Sequence, residues 1–153
     1  IYSSPCKRTV MTAEEIAKHH DLSVLQRDTL RERHFGIWEG LYFHEIAERY
    51  PEEQRRWKED NAGFKPQGGE SVFDMLGRLE VLLEEVVEPY RGQTVVIVGH
   101  VGPIRALVSA AICLPVSEYR RLTIDNASLT RVDYGIKQNN LMYLNVNRSD
   151  DLV

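Results

Sequence analysis

At 153 residues, 42% of them apolar and 27% charged, the chain has the length and composition of one globular domain with room for a sizeable core. Its net charge of −4 argues against a general nucleic-acid surface, which would be basic, while leaving room for a small basic pocket. Two cysteines, Cys6 and Cys113, far apart and without a Cys-x-x-Cys pair, suggest neither a disulfide framework nor a zinc site.

A reducing cytoplasm is therefore the expected compartment. No continuous apolar stretch reaches bilayer length, and no charged-then-apolar secretory signal opens the sequence, so no membrane partner is expected. The sequons at Asn126-Ala127-Ser128 and Asn147-Arg148-Ser149 then read as chance matches.

Ile1-Tyr2-Ser3 reads as the end of a strand. Ser4-Pro5 reads as a serine N-cap with proline at the first helical position, opening a helix through Ile16 towards His20. Arg8 falls in its first turn. Helical side chains lean towards the N-terminus, so the guanidinium can reach back to the strand end, where a planar permanent cation suits a phosphate. On position alone, the ordinary reading of Arg8 is a solvated helix arginine.

After a turn near Asp21 and an extended stretch, Val24-Leu25-Gln26, comes the densest motif, Leu30 to Gly40. Its charges, aromatics and glycines follow no period, as in a shaped functional loop. Glycines allow close backbone approach, and Trp38, if buried, needs a partner for its indole N–H. Glu32 is the natural pocket carboxylic acid here; Glu39 and Glu45, taken singly, read as surface or capping carboxylates, as Glu32 also would.

Helical signals run from Tyr42 to Tyr50, stop at Pro51 and restart through Trp57 with a solvated charged face. Residues 62–69 are a loop by composition. Ser71 and Asp74 form a capping-box start to a helix whose Val72, Leu76, Leu79, Leu83 and Val86 make an apolar stripe ending near Pro89.

Thr94 to Gly99 then forms an apolar run that runs into His100, with Gly102-Pro103-Ile104-Arg105 opening another helix. Apolar on both faces, Val95 to Val98 carries the signature of an interior strand. In open α/β sheets ligands bind at the carboxyl ends of strands, and a helix starting there offers unpaired N–H groups, so an anion site around His100 is expected. Beyond Leu114-Pro115, segments 128–134 and 141–146 flank a Gly135 loop as a hairpin. The order predicts a three-layer α/β/α fold with a mostly parallel sheet and an antiparallel strand near one edge.

Four blocks occur together: Ser3-Ser4-Pro5 with Lys7-Arg8; Glu32-Arg33-His34-Phe35-Gly36 with Trp38-Glu39-Gly40; Gly69-Glu70-Ser71; and Val98-Gly99-His100 with Gly102 and Ile104-Arg105. In this order they resemble the histidine phosphatase superfamily, in its phosphoglycerate-mutase-like branch, nearest the α-ribazole phosphatases and broad-specificity phosphatases. The resemblance runs from Ile1 almost to the end of the chain. It implies a phosphate held by two histidines and two arginines, with one histidine transiently phosphorylated. By position Arg8 matches the second phosphate-binding arginine, His100 the second histidine and Glu32 the proton donor, while amides near Gly102 would complete the cradle. A cationic His100 would stabilise the transferring phosphoryl group. The resemblance implies no metal and no cofactor, and a small phosphorylated metabolite as substrate.

One departure is large: the family's Arg-His-Gly at the end of a first strand is absent, and none of His19, His20, His34 or His44 has such a setting. Residues 1–153 are thus expected to be a single domain incomplete at its N-terminus, without the first strand-helix unit. The expectation is an open apolar edge beside Val95 to Val98, truncation or a complementing N-terminal segment or second chain, and little or no phosphatase activity for the chain alone. Mutases of the branch it resembles usually carry a longer insertion between the Glu32 and His100 blocks, so the resemblance, with the short interval here, implies a phosphatase over a mutase; the rival is a non-catalytic relative that binds phosphorylated ligands or a protein.

Overall fold

In the computed structural model, which describes residues 1–147, a parallel sheet has the order β2-β1-β3, with β1 at Tyr2–Ser3, β2 at Leu25–Gln26 and β3 at Ile97–Val98. Tyr2 lies opposite Leu25 and Ile97, and Ser3 opposite Gln26 and Val98. Successive strand side chains point to opposite faces. Tyr2 enters the main core, so Ser3 faces the other side, where α1 (Lys7–Lys18) approaches closely through its small buried residues Thr9, Ala13 and Ala17. On the Tyr2 side, α4 (Val72–Val86) and α5 (Val101–Ala111) pack against each other and carry the core. The expected layers are therefore present.

The stripe on α4 is made by Val72, Met75, Leu79, Leu82 and Val86, all buried, with Leu76 and Leu83 at its margin. Ser71 caps the helix as expected: its hydroxyl accepts from the Asp74 N–H at 3.0 Å while the Asp74 carboxylate accepts from the Ser71 N–H at 2.8 Å. Helices α2 (Phe43–Arg49) and α3 (Pro51–Glu59) build a smaller cluster around Trp38, Ile46 and Phe64. The Trp38 indole N–H has no partner among the described residues; its burial rests on stacking against Phe64, with centroids 5.1 Å apart, and an edge contact with Trp57.

Three expectations change. α1 starts at Lys7 with Cys6 as an N-cap that makes no side-chain cap bond, and Ser4 lies before the helix, where its Oγ meets His100 Nε2 at 2.9 Å and accepts from the Cys6 N–H at 3.5 Å. The run Val95 to Val98 is half-buried, and only Ile97–Val98 is strand, since β1 covers one edge and no strand among the described residues covers the other. The hairpin forms, but β4 (Leu129–Tyr134) and β5 (Asn139–Val146) make their own two-stranded antiparallel sheet against α5 and are not joined to the parallel one. Arg148 and Ser149 of the second sequon lie outside the described residues. No described helix is long and apolar enough to cross a membrane.

Two glycines let the 34–36 and 67–70 segments cross backbone to backbone. A Cβ on Gly36, where φ is +55°, would come within 2.1 Å of the Gln67 carbonyl oxygen; one on Gly69 would come within 2.7 Å of that of His34. Hydrogen bonds from Ile37 N–H to Gln67 C=O (3.0 Å) and Glu70 N–H to His34 C=O (2.9 Å) fasten the crossing.

Candidate active site

Strands β1 and β3 lie side by side and parallel, so Ser4 and His100 leave the sheet at the same end. Ser4 N–H donates to the Val98 carbonyl at 3.0 Å, joining the two exits. His100 is the N-cap of α5 and only 6% exposed, and Ser4 is fully buried. From the first turn of α1, Arg8 Nη2 comes to 2.9 Å from His100 Nδ1, as the lean of helical side chains towards the strand end suggested. A guanidinium can only donate, so Nδ1 is the acceptor and the ring proton sits on Nε2, which donates to Ser4 Oγ at 2.9 Å.

His100 is thus held as a neutral ring. Burial first, and then the Arg8 guanidinium, push it below its ordinary value of 6.5; Glu32 pulls the other way, while Arg78 and Arg31 add to the lowering. The folded state prefers the neutral form more than the unfolded chain does. This contribution to stability is whole above about pH 6.5 and is lost as pH falls through the folded value. Urea unfolding at a series of pH values below neutrality should show stability falling on acidification, and H100N should flatten that slope.

Glu32 follows a short 3-10 turn, Asp28–Leu30, whose Leu30 is fully buried and anchors the loop to the core. Its half-buried carboxylate accepts from the Arg33 N–H at 2.8 Å through Oε1 and from the Gly102 N–H at 3.3 Å through Oε2. Gly102 makes this possible, since a Cβ at that position would lie 2.3 Å from Glu32 Oε1. Replacing it should leave stability nearly unchanged, because Ala gains about 1 kcal/mol of helix propensity against the loss of a hydrogen bond of similar worth. G102A should instead move the Glu32 carboxylate, read as a changed Arg33 amide shift in NMR with an unchanged urea midpoint.

Arg8, Glu32, His100 and Gly102, all singled out from sequence, therefore meet at the shared exit of two strands and the start of α5. The Gly102 amide is turned to Glu32 and not to an open cradle. The other candidate carboxylates do local work: Glu39 accepts from the Phe35 N–H, and Glu45 from the Tyr42 N–H while pairing with Arg49. Sequence reasoning missed Ser4 as the partner of His100, because Ser-Pro before a helix reads as a cap. It also missed Arg78, whose signal was an arginine on the border of a buried stripe between Met75 and Leu82. A guanidinium, an imidazole and first-turn amides beside a carboxyl group form an arrangement able to receive an anion and to exchange a proton with it.

A family model described as the histidine phosphatase superfamily (branch 1) matches residues 1–147. Phosphoserine phosphatase 1 of Hydrogenobacter thermophilus is 39% identical over 146 residues, covering 95% of this chain and 69% of its own length. Two longer mycobacterial relatives are spanned over only 36% and 63% of their lengths. Among solved structures, mycobacterial glucosyl-3-phosphoglycerate phosphatase in complex with inorganic phosphate superposes with a TM-score of 0.82 at 34% identity, over 95% of this chain and 76% of that one. The α-ribazole phosphatase from Shigella flexneri superposes with a TM-score of 0.85 over 95% of this chain and 72% of that one; at 24% identity this likeness concerns the fold.

Proposed function

The chain belongs to branch 1 of the histidine phosphatase superfamily, and from that membership we propose that residues 1–153 form the acid and phosphate-binding half of a phosphomonoesterase site. The observation that carries the reading is the convergence of Arg8, His100 and Glu32 on the first turn of α5. In this reading Arg8 gives up His100 Nδ1 and takes two oxygens of a phosphate dianion, while His100, now beside negative charge, gains a proton and stabilises the equatorial oxygens. Another histidine attacks phosphorus, and the bond from phosphorus to the leaving oxygen breaks. Glu32, which takes up a proton when the phosphate dianion binds beside it, hands that proton to the leaving oxygen. Water then attacks the phosphohistidine, its proton goes to the Glu32 carboxylate, and phosphate leaves.

No Arg-His-Gly occurs in the 153 residues, and in this reading the attacking histidine is supplied by a complementing segment or second chain. The open edge of β3 supports the same view: Val95 to Val98 is apolar but half-buried, as an interior strand lacking one neighbour would be. The absence of the nucleophile also favours a second reading, a phospho-ligand or protein-binding relative without turnover. Glu32 weighs against it, since binding alone needs no proton donor.

The substrate class is a small phosphorylated metabolite, and hydrolysis is preferred to mutase chemistry; phosphoserine and glucosyl-3-phosphoglycerate appear in the names of relatives. Free cysteines at positions 6 and 113 suit a reducing cytoplasm. The test is a substrate panel on the chain joined to a strand ending in Arg-His-Gly: phosphoserine, phosphoglycerates, α-ribazole phosphate and sugar phosphates. Release of inorganic phosphate from at least one is expected. Isomerised phosphoglycerate without phosphate release would point to a mutase, and binding without turnover to the second reading.

A further inference from the structure

We propose that Arg78 and Glu70 are positioning residues that hold the Glu32 carboxyl group against the start of α5. The proposal rests on the reading of Glu32 as proton donor and adds the device that aims it. From the middle of α4, the Arg78 guanidinium donates to the carbonyl oxygens of Thr29, Arg31 (2.8 Å) and Glu32 (3.3 Å), so one side chain satisfies three carbonyls of a loop that no strand pairs. The same guanidinium is gripped by the Glu70 carboxylate, Nε to Oε2 at 3.1 Å and Nη2 to Oε1 at 2.8 Å. Glu70 Oε1 also accepts from the His34 N–H at 2.9 Å.

The loop is thereby pinned on both sides of Glu32. Before it, Arg78 holds residues 29 and 31; after it, Glu70 holds the amide of residue 34. Arg33, 3% exposed, donates from Nε to the Glu70 carbonyl and from Nη2 to that of Phe64, both at 2.9 Å. With its own carbonyl bound by Arg78, Glu32 leaves the backbone in a fixed direction, towards the Gly102 amide. Arg78 and Glu70 are 22% and 16% exposed, shielded enough for a bidentate pair to keep its geometry. A lysine at position 78 would keep the charge and lose the fork that serves three carbonyls and a carboxylate together.

His100 reports where the Glu32 carboxylate sits, because Glu32 raises its pKa while Arg8, Arg78 and Arg31 lower it. The experiment follows the His100 ring by NMR titration in the 153-residue chain, in wild type, E32Q, R78K and R78K/E32Q. E32Q should lower the His100 midpoint. R78K, with charge conserved, should lower it in the same direction by at least half as much, and should add nothing once E32Q is present, the non-additivity of residues acting through one another. An R78K midpoint equal to wild type, or an R78K shift that persists undiminished in the E32Q background, overturns the proposal. Should R78K fail to fold, E70D, which also conserves charge and shortens the reach to Arg78, enters the same cycle with the same two criteria. Failure of Glu32 as proton donor would show in turnover and leave this cycle intact, so the two results are separable.

Discussion

Residues 1–153 by themselves should hydrolyse p-nitrophenyl phosphate no faster than buffer does, and supplying a strand that ends in Arg-His-Gly should restore turnover by several orders of magnitude. Deleting the nucleophile from a hydrolase that forms a covalent intermediate costs on the order of a million-fold in kcat. No other histidine is placed to substitute. His19 and His20 lie at the end of α1, His44 sits in α2 stacked on Tyr42, and His34 is bonded within its own loop. His100 has both ring nitrogens engaged, by Arg8 and Ser4. The restoring strand should add in parallel to the open edge of β3, where it would cover the half-buried Val95 to Val98 and bring its carboxyl end level with Ser4 and His100. Amide exchange at Ile97 should slow when the strand is added. Steady phosphate release by the unsupplemented chain would contradict this account.

In the complemented protein, E32Q should lower kcat for an alkyl phosphate by about 10² to 10⁴-fold, the range for a positioned general acid. The loss should be much smaller for p-nitrophenyl phosphate, whose phenolate leaves without needing a proton. The amide keeps the shape of the carboxyl group and can still meet the Arg33 N–H through its oxygen, but its NH2 cannot accept from the Gly102 N–H, so it is the contrast between leaving groups that isolates the proton. Parallel assays on phosphoserine and the aryl ester measure the contrast. Equal losses on both would remove Glu32 from the role of proton donor and leave it an electrostatic one.

The sequence made legible those parts of the site that depend on local rules. A helix start after an apolar run placed His100 and Gly102, the lean of helical side chains sent Arg8 to the strand end, and Ser71 with Asp74 marked the start of α4. Glu32 was legible only through the company of its motif, because a single carboxylate in a loop has no period to betray it. What stayed hidden depends on partners distant in sequence. Ser4 meets His100 across 96 positions, and Arg78 meets Thr29 across 49, so neither contact leaves a local pattern. The length of β3 was misjudged for a related reason: composition records the burial a strand is built for, whereas strand pairing needs a neighbour actually beside it.

The most direct test of the central claim, that Arg8 and His100 form a phosphate-binding centre at the start of α5, is calorimetric titration of the chain with inorganic phosphate near neutral pH in two buffers of different ionisation enthalpy. Saturable binding at millimolar phosphate is expected, with proton uptake as the neutral His100 ring becomes charged. R8A and H100A should each weaken binding at least about tenfold, which corresponds to roughly 1.4 kcal/mol, and H100A should abolish the proton uptake. No saturable binding, or binding that R8A and H100A leave unchanged, would contradict the account.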